Sequence, residues 1–213
     1  YIYISGAEGL EFKPGVELAF LGISLLGQFI RAVTVGRTPK NTSGRNVKGQ
    51  VAETLNTTGI YSVLRHPLYL GNFFMWLGPV LFLRSVWIAV IFCLAYWLYY
   101  ERIMFAEEQF LRRKFGDVYD RWSEKVRAFI PTLRNYKRSG LSFSLRNVLK
   151  REYNGFGLIF IVFALLDIAR NYTMENTFHM EPLWAILLAF GFTMWLILRI
   201  LKKRTSVLDV AGR

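Results

Sequence analysis

Five long apolar stretches constrain the fold of this chain more than any other feature. They cover roughly residues 15 to 32, 67 to 83, 86 to 106, 154 to 171 and 183 to 201. About 20 residues of apolar helix cross a bilayer core, and somewhat fewer suffice where the membrane thins. Hydrophobic residues make up 53% of the 213 residues, which is more than a soluble domain of this size needs. The pattern predicts an all-α polytopic membrane protein that forms one integral domain over residues 1–213.

Basic residues orient these stretches relative to the membrane. The chain has a net charge of +12, and its Lys and Arg residues cluster after the first stretch, between the third and fourth, and after the fifth. Residues 172 to 182 contain neither. Five spans place all three basic segments on one side, and short cytoplasmic loops carry an excess of Lys and Arg. We expect this side to be cytoplasmic, with the N-terminus outside, and the charge to face anionic lipid rather than nucleic acid.

The second and third stretches are separated only by Arg84 and Ser85. This spacing predicts a tight antiparallel helical hairpin in which Tyr69 faces Tyr100 and His66 lies near Ile103. Two glutamates follow four and five residues after that position, which is a rise of about 6 to 8 Å along a helix. A ligand that spans this gap would contact residues from both helices.

The residues at the start of the second stretch are suited to an anion or polar ligand. Pro67 fits the first turn of a helix and keeps His66 out of helical geometry. The free backbone N–H groups at that helix start favour anions, and Tyr69 lies one turn further. Taken singly, Pro67 often only starts a helix, and the pair Glu107 and Glu108 often only ends a span. Together they indicate a polar pocket at the cytoplasmic membrane boundary.

The sequence gives no indication of a metal site or a disulfide. Cys93 is the only cysteine, and it lies inside an apolar stretch. The two histidines, His66 and His179, are far apart in the chain. Zinc and iron sites need several Cys or His ligands at short spacing. We therefore predict that no metal is bound.

An ordered series of motifs resembles a known enzyme family. The segment ETLNTTGIYSVLRHPLYLG is followed, beyond the hairpin, by AEEQFLRRKFGDVYDRWSEKVRAFIP. This series is similar to the isoprenylcysteine carboxyl methyltransferase family and its bacterial and phospholipid methyltransferase relatives. It covers roughly residues 53 to 131, which we treat as the methyltransferase core motif region.

The resemblance implies a membrane-embedded methyltransferase that uses S-adenosyl-L-methionine and has no Rossmann domain. It also implies a cytosol-facing cofactor pocket and a lipid or lipidated substrate that reaches the site sideways between helices. Carried over position by position, the cofactor contacts would be Glu53, Thr54, Leu55, Tyr61, His66, Pro67, Leu68, Tyr69, Glu107 and Glu108.

The substrate half of the pattern departs from the prenylcysteine-specific enzymes. Those enzymes tend to carry an Arg four residues before the matching Glu, where this chain has Ile103. The nearest basic residue is Arg102. Arg127, before Phe129 and Pro131 as in bacterial relatives, is an alternative partner for an anionic headgroup. We therefore assign Arg102 or Arg127 to the catalytic site as the group that steadies such a headgroup.

The remaining segments are less informative. Residues 132–153 form a basic surface linker, which is either a short helix on the membrane surface or a solvated connector. Residues 154–213 contain two additional spans, and neither their role nor the oligomeric state follows from the sequence. Two other functions stay open: a sterol-reductase-like enzyme that uses NADPH, and a membrane scaffold without catalytic activity.

Overall fold

The regular structure of this chain is helical. The computed structural model describes residues 13–39 and 52–212, and it contains no strand within them. Part of the first basic segment, residues 40–51, lies outside the described residues. The helices are α1 (Pro14–Gly36), α2 (Pro67–Phe82), α3 (Val86–Phe115), α4 (Asp117–Ser123), α5 (Leu145–Glu175) and α6 (Pro182–Arg204), with 3-10 turns at Gly59–Ser62 and Leu133–Asn135. The predicted all-α fold is confirmed.

All five apolar stretches are helices. Helices α1, α3, α5 and α6 are long and apolar enough to cross a membrane. Helix α2 has only 16 residues, or about 24 Å of helix, which is less than a typical core of about 30 Å. Helix α3 leaves Val86, Trp87, Ile91 and Leu94 more than 60% exposed, as a lipid-facing helix surface does. About five spans, as predicted, is roughly consistent with this structure.

Helices α2 and α3 form the predicted hairpin. Helix α2 ends at Phe82, and Arg84 adopts a left-handed conformation with φ of 50° that reverses the chain. The Ser85 side chain then accepts a hydrogen bond from Ile88 N at 3.4 Å and so caps α3. The rings of Tyr69 and Tyr100 lie 5.1 Å apart. The register expected from the length of the turn is therefore present.

Close packing of α1 against α2 depends on residues without bulky side chains. A Cβ on Gly27 would lie 2.5 Å from Met75 N and closer still to Gly71 O. Ser24 donates a hydrogen bond across the same interface to Met75 O at 2.9 Å. Because a backbone atom cannot move aside as a flexible side chain can, this interface fixes the distance between α1 and α2.

Helix α5 begins inside the segment that the sequence predicts to be a surface linker. Ser144 caps the helix by accepting from Asn147 N at 3.3 Å, and α5 runs without interruption to Glu175. Asn147 is buried and donates to Val35 O of α1 at 2.8 Å. Polar residues of this segment are thus held against α1. Residues 145–153 form the first turns of α5 rather than a separate surface helix.

A group of buried polar side chains lies at the hairpin turn, at the opposite end of the bundle from the start of α5. We call it the closed cluster, and it comprises Glu17, Arg84, Asp167, Arg170 and Trp184. Glu17 accepts from Trp184 Nε1 at 2.9 Å and pairs with Arg170 and, at 3.5 Å, with Arg84. Asp167 pairs with Arg170 and accepts from the backbone of Glu181 at 2.8 Å. The cluster joins α1, the hairpin turn, α5 and α6.

Candidate active site

The end of the α2–α3 hairpin opposite its turn, which we call the open end, is covered by the chain that follows α3. Gly116, with φ of 50°, lets the chain turn from α3 into α4. The segment after α4 then returns to the start of α2. Its backbone carbonyls at Arg127 and Ala128 accept from Arg65 N at 2.9 Å and His66 N at 3.2 Å. The start of α2 is therefore held between the end of α3 and this returning segment.

Four side chains meet at this end, and we call them the cleft cluster: His66, Tyr69, Glu107 and Glu108. His66 Nε2 lies 2.8 Å from Glu108 Oε1, and His66 Nδ1 lies 3.7 Å from Glu107 Oε2. Tyr69 donates its hydroxyl proton to Glu107 Oε2 at 2.9 Å. Arg65 Nε approaches Glu108 Oε1 at 3.3 Å. The hairpin thus brings both adjacent glutamates to the histidine–proline turn.

The charges of the cleft cluster favour a protonated histidine. Burial alone would lower the pKa of His66, but its interactions with Glu107 and Glu108 outweigh that effect and raise the pKa above its ordinary value. Burial, together with the charge of Glu107, raises the pKa of the Tyr61 hydroxyl. Burial and Glu108 do the same for the pKa of Tyr119. Both phenols therefore stay protonated and can act as hydrogen-bond donors at neutral pH.

A narrow cleft lies beside this cluster. Its lining comprises Leu55, Asn56, Tyr61, Arg65, His66, Glu107, Leu111, Tyr119 and Trp122. Asn56 Nδ2 is buried and has no hydrogen-bond partner in the described part of the chain. A buried donor without a partner is costly, so this atom indicates a site that receives an acceptor group from a ligand.

An apolar groove of about 190 Å³ lies on the neighbouring face of the hairpin. It is lined by Phe73, Cys93, Tyr96, Trp97, Tyr100, Met104 and Phe129. Tyr100 connects the two spaces, because its ring lies 5.1 Å from that of Tyr69, whose hydroxyl bonds to Glu107 in the cleft. A polar cleft and an apolar groove therefore adjoin at the same pair of helices.

The structure places the predicted cofactor residues in three positions. Leu55, Tyr61, His66 and Glu107 line the cleft. Tyr69 and Glu108 hydrogen-bond to these lining residues. The other four do not line it: Pro67 and Leu68 are buried in the first turn of α2, and Glu53 and Thr54 are exposed before the cleft. The assignment of all ten residues as cofactor contacts stays a prediction.

The two predicted catalytic arginines lie outside the cleft. Arg102 and Arg127 are both exposed, and neither lines the cleft or the groove. Asn56, which the sequence interpretation missed, contributes a buried donor to the cleft. Its position directly after Leu55, inside the recognised motif, was the available signal. No group of three or more His, Cys, Asp or Glu side chains that could hold a metal ion is found among residues 13–39 and 52–212.

Comparison with known proteins places this geometry in context. The family model for phospholipid methyltransferases matches residues 15–118. Protein-S-isoprenylcysteine O-methyltransferase of Schizosaccharomyces pombe is 32% identical over 124 residues, which are 55% of this chain and 50% of that protein. A probable protein-S-isoprenylcysteine O-methyltransferase of Oryza sativa subsp. indica is 32% identical over 127 residues, which are 57% of this chain and 65% of that protein.

One similar protein has a different kind of name. The nickel-cobalt-cadmium resistance protein NccN of Alcaligenes xylosoxydans xylosoxydans is 33% identical over 118 residues, which are 55% of this chain and 53% of that protein. The chain spans about half the length of these first relatives. No solved structure matches it. The resemblance predicted from the motif series is therefore confirmed: the chain matches the phospholipid methyltransferase model from α1 to the start of α4 and is similar to protein-S-isoprenylcysteine O-methyltransferases.

Proposed function

We propose that this chain is an integral membrane methyltransferase that uses S-adenosyl-L-methionine to methylate a lipid or lipidated acceptor. The observation that supports this proposal most directly is that His66 and Tyr69 hydrogen-bond to Glu108 and Glu107 at the open end of the hairpin. A polar cleft on one side and an apolar groove on the other suit a polar cofactor and a lipid acceptor. The similar proteins named as O-methyltransferases support the same chemistry.

The residues of the cleft fit this cofactor. The cofactor carries a cationic amino group, ribose hydroxyls and a purine with hydrogen-bond acceptors. The carboxylates of Glu107 and Glu108 would hold cationic or hydroxyl groups through charge-assisted hydrogen bonds. Asn56 Nδ2, which is buried without a partner among the described residues, would donate to an acceptor atom. Tyr61 and Tyr119 add two protonated phenols to the same lining.

The chain itself has little covalent chemistry to perform. Bound S-adenosyl-L-methionine supplies an activated methyl group on a sulfonium centre. The protein aligns the acceptor and excludes water from the reacting atoms. The apolar lining of the groove, with Phe73, Trp97 and Phe129, serves both tasks. A carboxylate or phosphate acceptor needs no general base, whereas an amine acceptor would need a proton sink such as His66 or a glutamate.

The proposed orientation follows the distribution of charge. The cleft opens at the end of the bundle that carries Arg112, Arg113 and Lys114 in the last turn of α3. The same end carries Lys202, Lys203 and Arg204 in the last turn of α6. Because Lys and Arg accumulate on the cytoplasmic side of a membrane, the cleft faces the cytoplasm.

Transfer of a labelled methyl group tests this proposal. The protein in lipid nanodiscs would receive methyl-labelled S-adenosyl-L-methionine with either total membrane lipid or an S-farnesylcysteine carboxylate. We expect label in the lipid-soluble product of at least one acceptor. Alkali releases label from a methyl ester but not from an N-methyl group, so the same product identifies the acceptor chemistry.

Two variants of one helix make the result specific. Glu107→Gln removes a charge from the cleft, whereas Glu101→Gln removes one from an exposed position of α3. We expect the first to lose transfer and the second to retain it. Equal transfer by both variants, or no labelled product with either acceptor, would overturn the proposal.

A further inference from the structure

The loop before α5, from Lys137 to Ser144, is attached to the rest of the molecule at both ends, and we call it the basic loop. The Lys137 carbonyl accepts from Gly59 N at 2.8 Å, and Lys137 N donates to Ser62 Oγ at 2.9 Å. At the other end, Ser144 N donates to Gly36 O of α1 at 2.8 Å. The basic loop is therefore held in a defined position, and a ligand that binds it has little ordering to do.

An open pocket of about 570 Å³ lies against the basic loop, within the range of about 300 to 1,000 Å³ that ligand sites have. It is lined by Arg37, which directly follows α1, by Tyr136, and by residues 138–143 of the loop. Arg37 and Arg138 are exposed, and neither pairs with an acidic side chain in the described part of the chain. Because its lining has two cations and no Asp or Glu, the pocket favours an anion.

The donors of this pocket are restrained by their neighbours. The guanidinium carbon of Arg37 lies 5.6 Å from the centroid of the Phe143 ring, and that ring packs directly on Gly36. Stacking on an aromatic face limits the positions that a guanidinium can take. Ser139 Oγ accepts from Leu141 N at 3.2 Å, and its hydroxyl proton can be donated to a ligand. The pocket thus presents hydrogen-bond donors of the kind that bind phosphate oxygens.

The position of the pocket relative to the membrane indicates which phosphate it receives. The end of α1 and the start of α5 flank it, and both helices are long and apolar enough to cross a membrane. Tyr136, Leu141 and Phe143 beside it are exposed, and such side chains are suited to the membrane interface. Residues 125–151 contain eight Lys or Arg and no Asp or Glu. Basic pockets at this boundary bind anionic lipid headgroups.

We propose that this pocket binds the headgroup of an anionic phospholipid, with Arg37 and Arg138 on the phosphate oxygens and the acyl chains beside Leu141 and Phe143. The pocket is separate from the cleft and the groove, because it shares no lining residue with either. Lipid binding here does not depend on methyl transfer. It gives the segment between the core motif region and α5 a role in holding a lipid at the edge of the bundle.

Native mass spectrometry of the purified chain in detergent measures lipid binding directly. The chain would be titrated with phosphatidylglycerol and, in parallel, with phosphatidylcholine that has the same acyl chains. We expect the first phosphatidylglycerol to bind at least about tenfold more tightly, because two charge-assisted contacts form without a cationic choline group between them. Equal affinities for the two lipids would overturn the proposal.

Two double variants with the same net charge separate a site from general attraction to a basic surface. Arg37→Gln with Arg138→Gln neutralises the pocket, whereas Arg134→Gln with Arg146→Gln neutralises two exposed arginines that do not line it. We expect the phosphatidylglycerol affinity to fall at least about tenfold in the first variant and to stay within about twofold in the second. Equal losses in both would overturn the proposal.

A soluble anion distinguishes a lipid site from a site for free phosphate compounds. Glycerol 3-phosphate carries the same kind of phosphate without acyl chains, and we expect it not to displace phosphatidylglycerol at an equal concentration. Displacement would assign the pocket to a soluble ligand and overturn the lipid proposal. If the first double variant does not fold, Arg138→Gln alone decides against Arg134→Gln, with an expected loss of about fivefold in the former only.

Discussion

The two buried polar clusters of this bundle differ in what surrounds them. In the closed cluster, the oxygens of Glu17 and Asp167 are taken up by Arg170, Arg84, Trp184 and a backbone N–H. The aromatic core of Phe82, Phe163 and Trp184 packs around it. Two acids and two arginines balance each other there, and the cluster joins four parts of the fold.

The cleft cluster is arranged differently. Glu107 and Glu108 face His66, Tyr69 and Arg65, but Glu107, His66 and Arg65 also line a narrow cleft. That cleft also contains the buried donor of Asn56, which has no partner among the described residues. Burial of charge is common to both ends, so it does not distinguish a structural network from a site. The adjoining cleft does.

The largest expected effect comes from breaking the closed cluster. Arg170→Leu leaves Glu17 and Asp167 buried with too little positive charge. Removing one partner of a buried ion pair costs about 3 to 5 kcal/mol, so we expect the free energy of unfolding to fall by that amount. Denaturation in detergent measures it, with Arg199→Leu at an exposed position as the control. An unchanged midpoint for Arg170→Leu would show that the cluster does not hold the helices together.

A change in the cleft cluster should affect activity more than stability. Glu107→Gln keeps the shape of the side chain but replaces charge-assisted hydrogen bonds, each worth about 1.5 to 3 kcal/mol. We expect methyl transfer to fall about 10- to 100-fold, with a smaller loss of stability than Arg170→Leu shows. Steady-state kinetics and thermal unfolding on one preparation provide the comparison. If Glu107→Gln unfolds readily while its folded fraction keeps full activity, Glu107 stabilises the fold and does not serve methyl transfer.

The α1–α2 interface lies between the two clusters and should affect both. Gly27→Ala places a Cβ against backbone atoms of α2, and overpacking of this kind costs about 1 to 3 kcal/mol. Gly22→Ala in the same helix meets nothing within 4 Å and is the matched control. We expect lower stability and lower turnover for the first variant only. Equal stability and turnover of Gly27→Ala and Gly22→Ala would contradict the close packing of α1 against α2.

The smallest effect concerns pH. The pKa of His66 is raised in the folded chain, so the folded state binds its proton more tightly than the unfolded state does. This contribution to stability is fully present below the ordinary pKa of about 6.5 and is lost as the pH rises through the raised folded value. Thermal unfolding of the wild type and His66→Gln from about pH 6 to about pH 9 should show a difference that shrinks as pH rises. A stability difference that grows with pH would show that the folded chain binds the His66 proton less tightly than the unfolded chain does.

The sequence predicts the hairpin well because its physical causes are local. Arg84 and Ser85 leave room only for a tight turn, and that turn fixes which residues of α2 and α3 face each other. Pro67 likewise marks the start of α2. The meeting of His66 with the two glutamates follows from these local features.

Contacts between distant segments could not be predicted in the same way. The pairing of Arg31 with Glu152 joins residues 121 positions apart, and neither lies in a recognisable motif. Residues 145–153 look like a solvated basic linker, but tertiary contacts of Asn147 and Glu152 with α1 fold them into α5. The closed cluster is also hidden in the sequence, because Glu17 lies far along the chain from its partners Arg84, Arg170 and Trp184.

Direct ligand binding tests the central claim that the hairpin end forms a cleft for S-adenosyl-L-methionine. Equilibrium dialysis of the purified chain in nanodiscs would use labelled S-adenosyl-L-methionine and, in parallel, labelled NADPH. We expect saturable binding of one S-adenosyl-L-methionine per chain, weakened by Glu107→Gln and unaffected by excess NADPH. Saturable binding of NADPH alone, or no S-adenosyl-L-methionine bound by a folded wild-type chain, would contradict it.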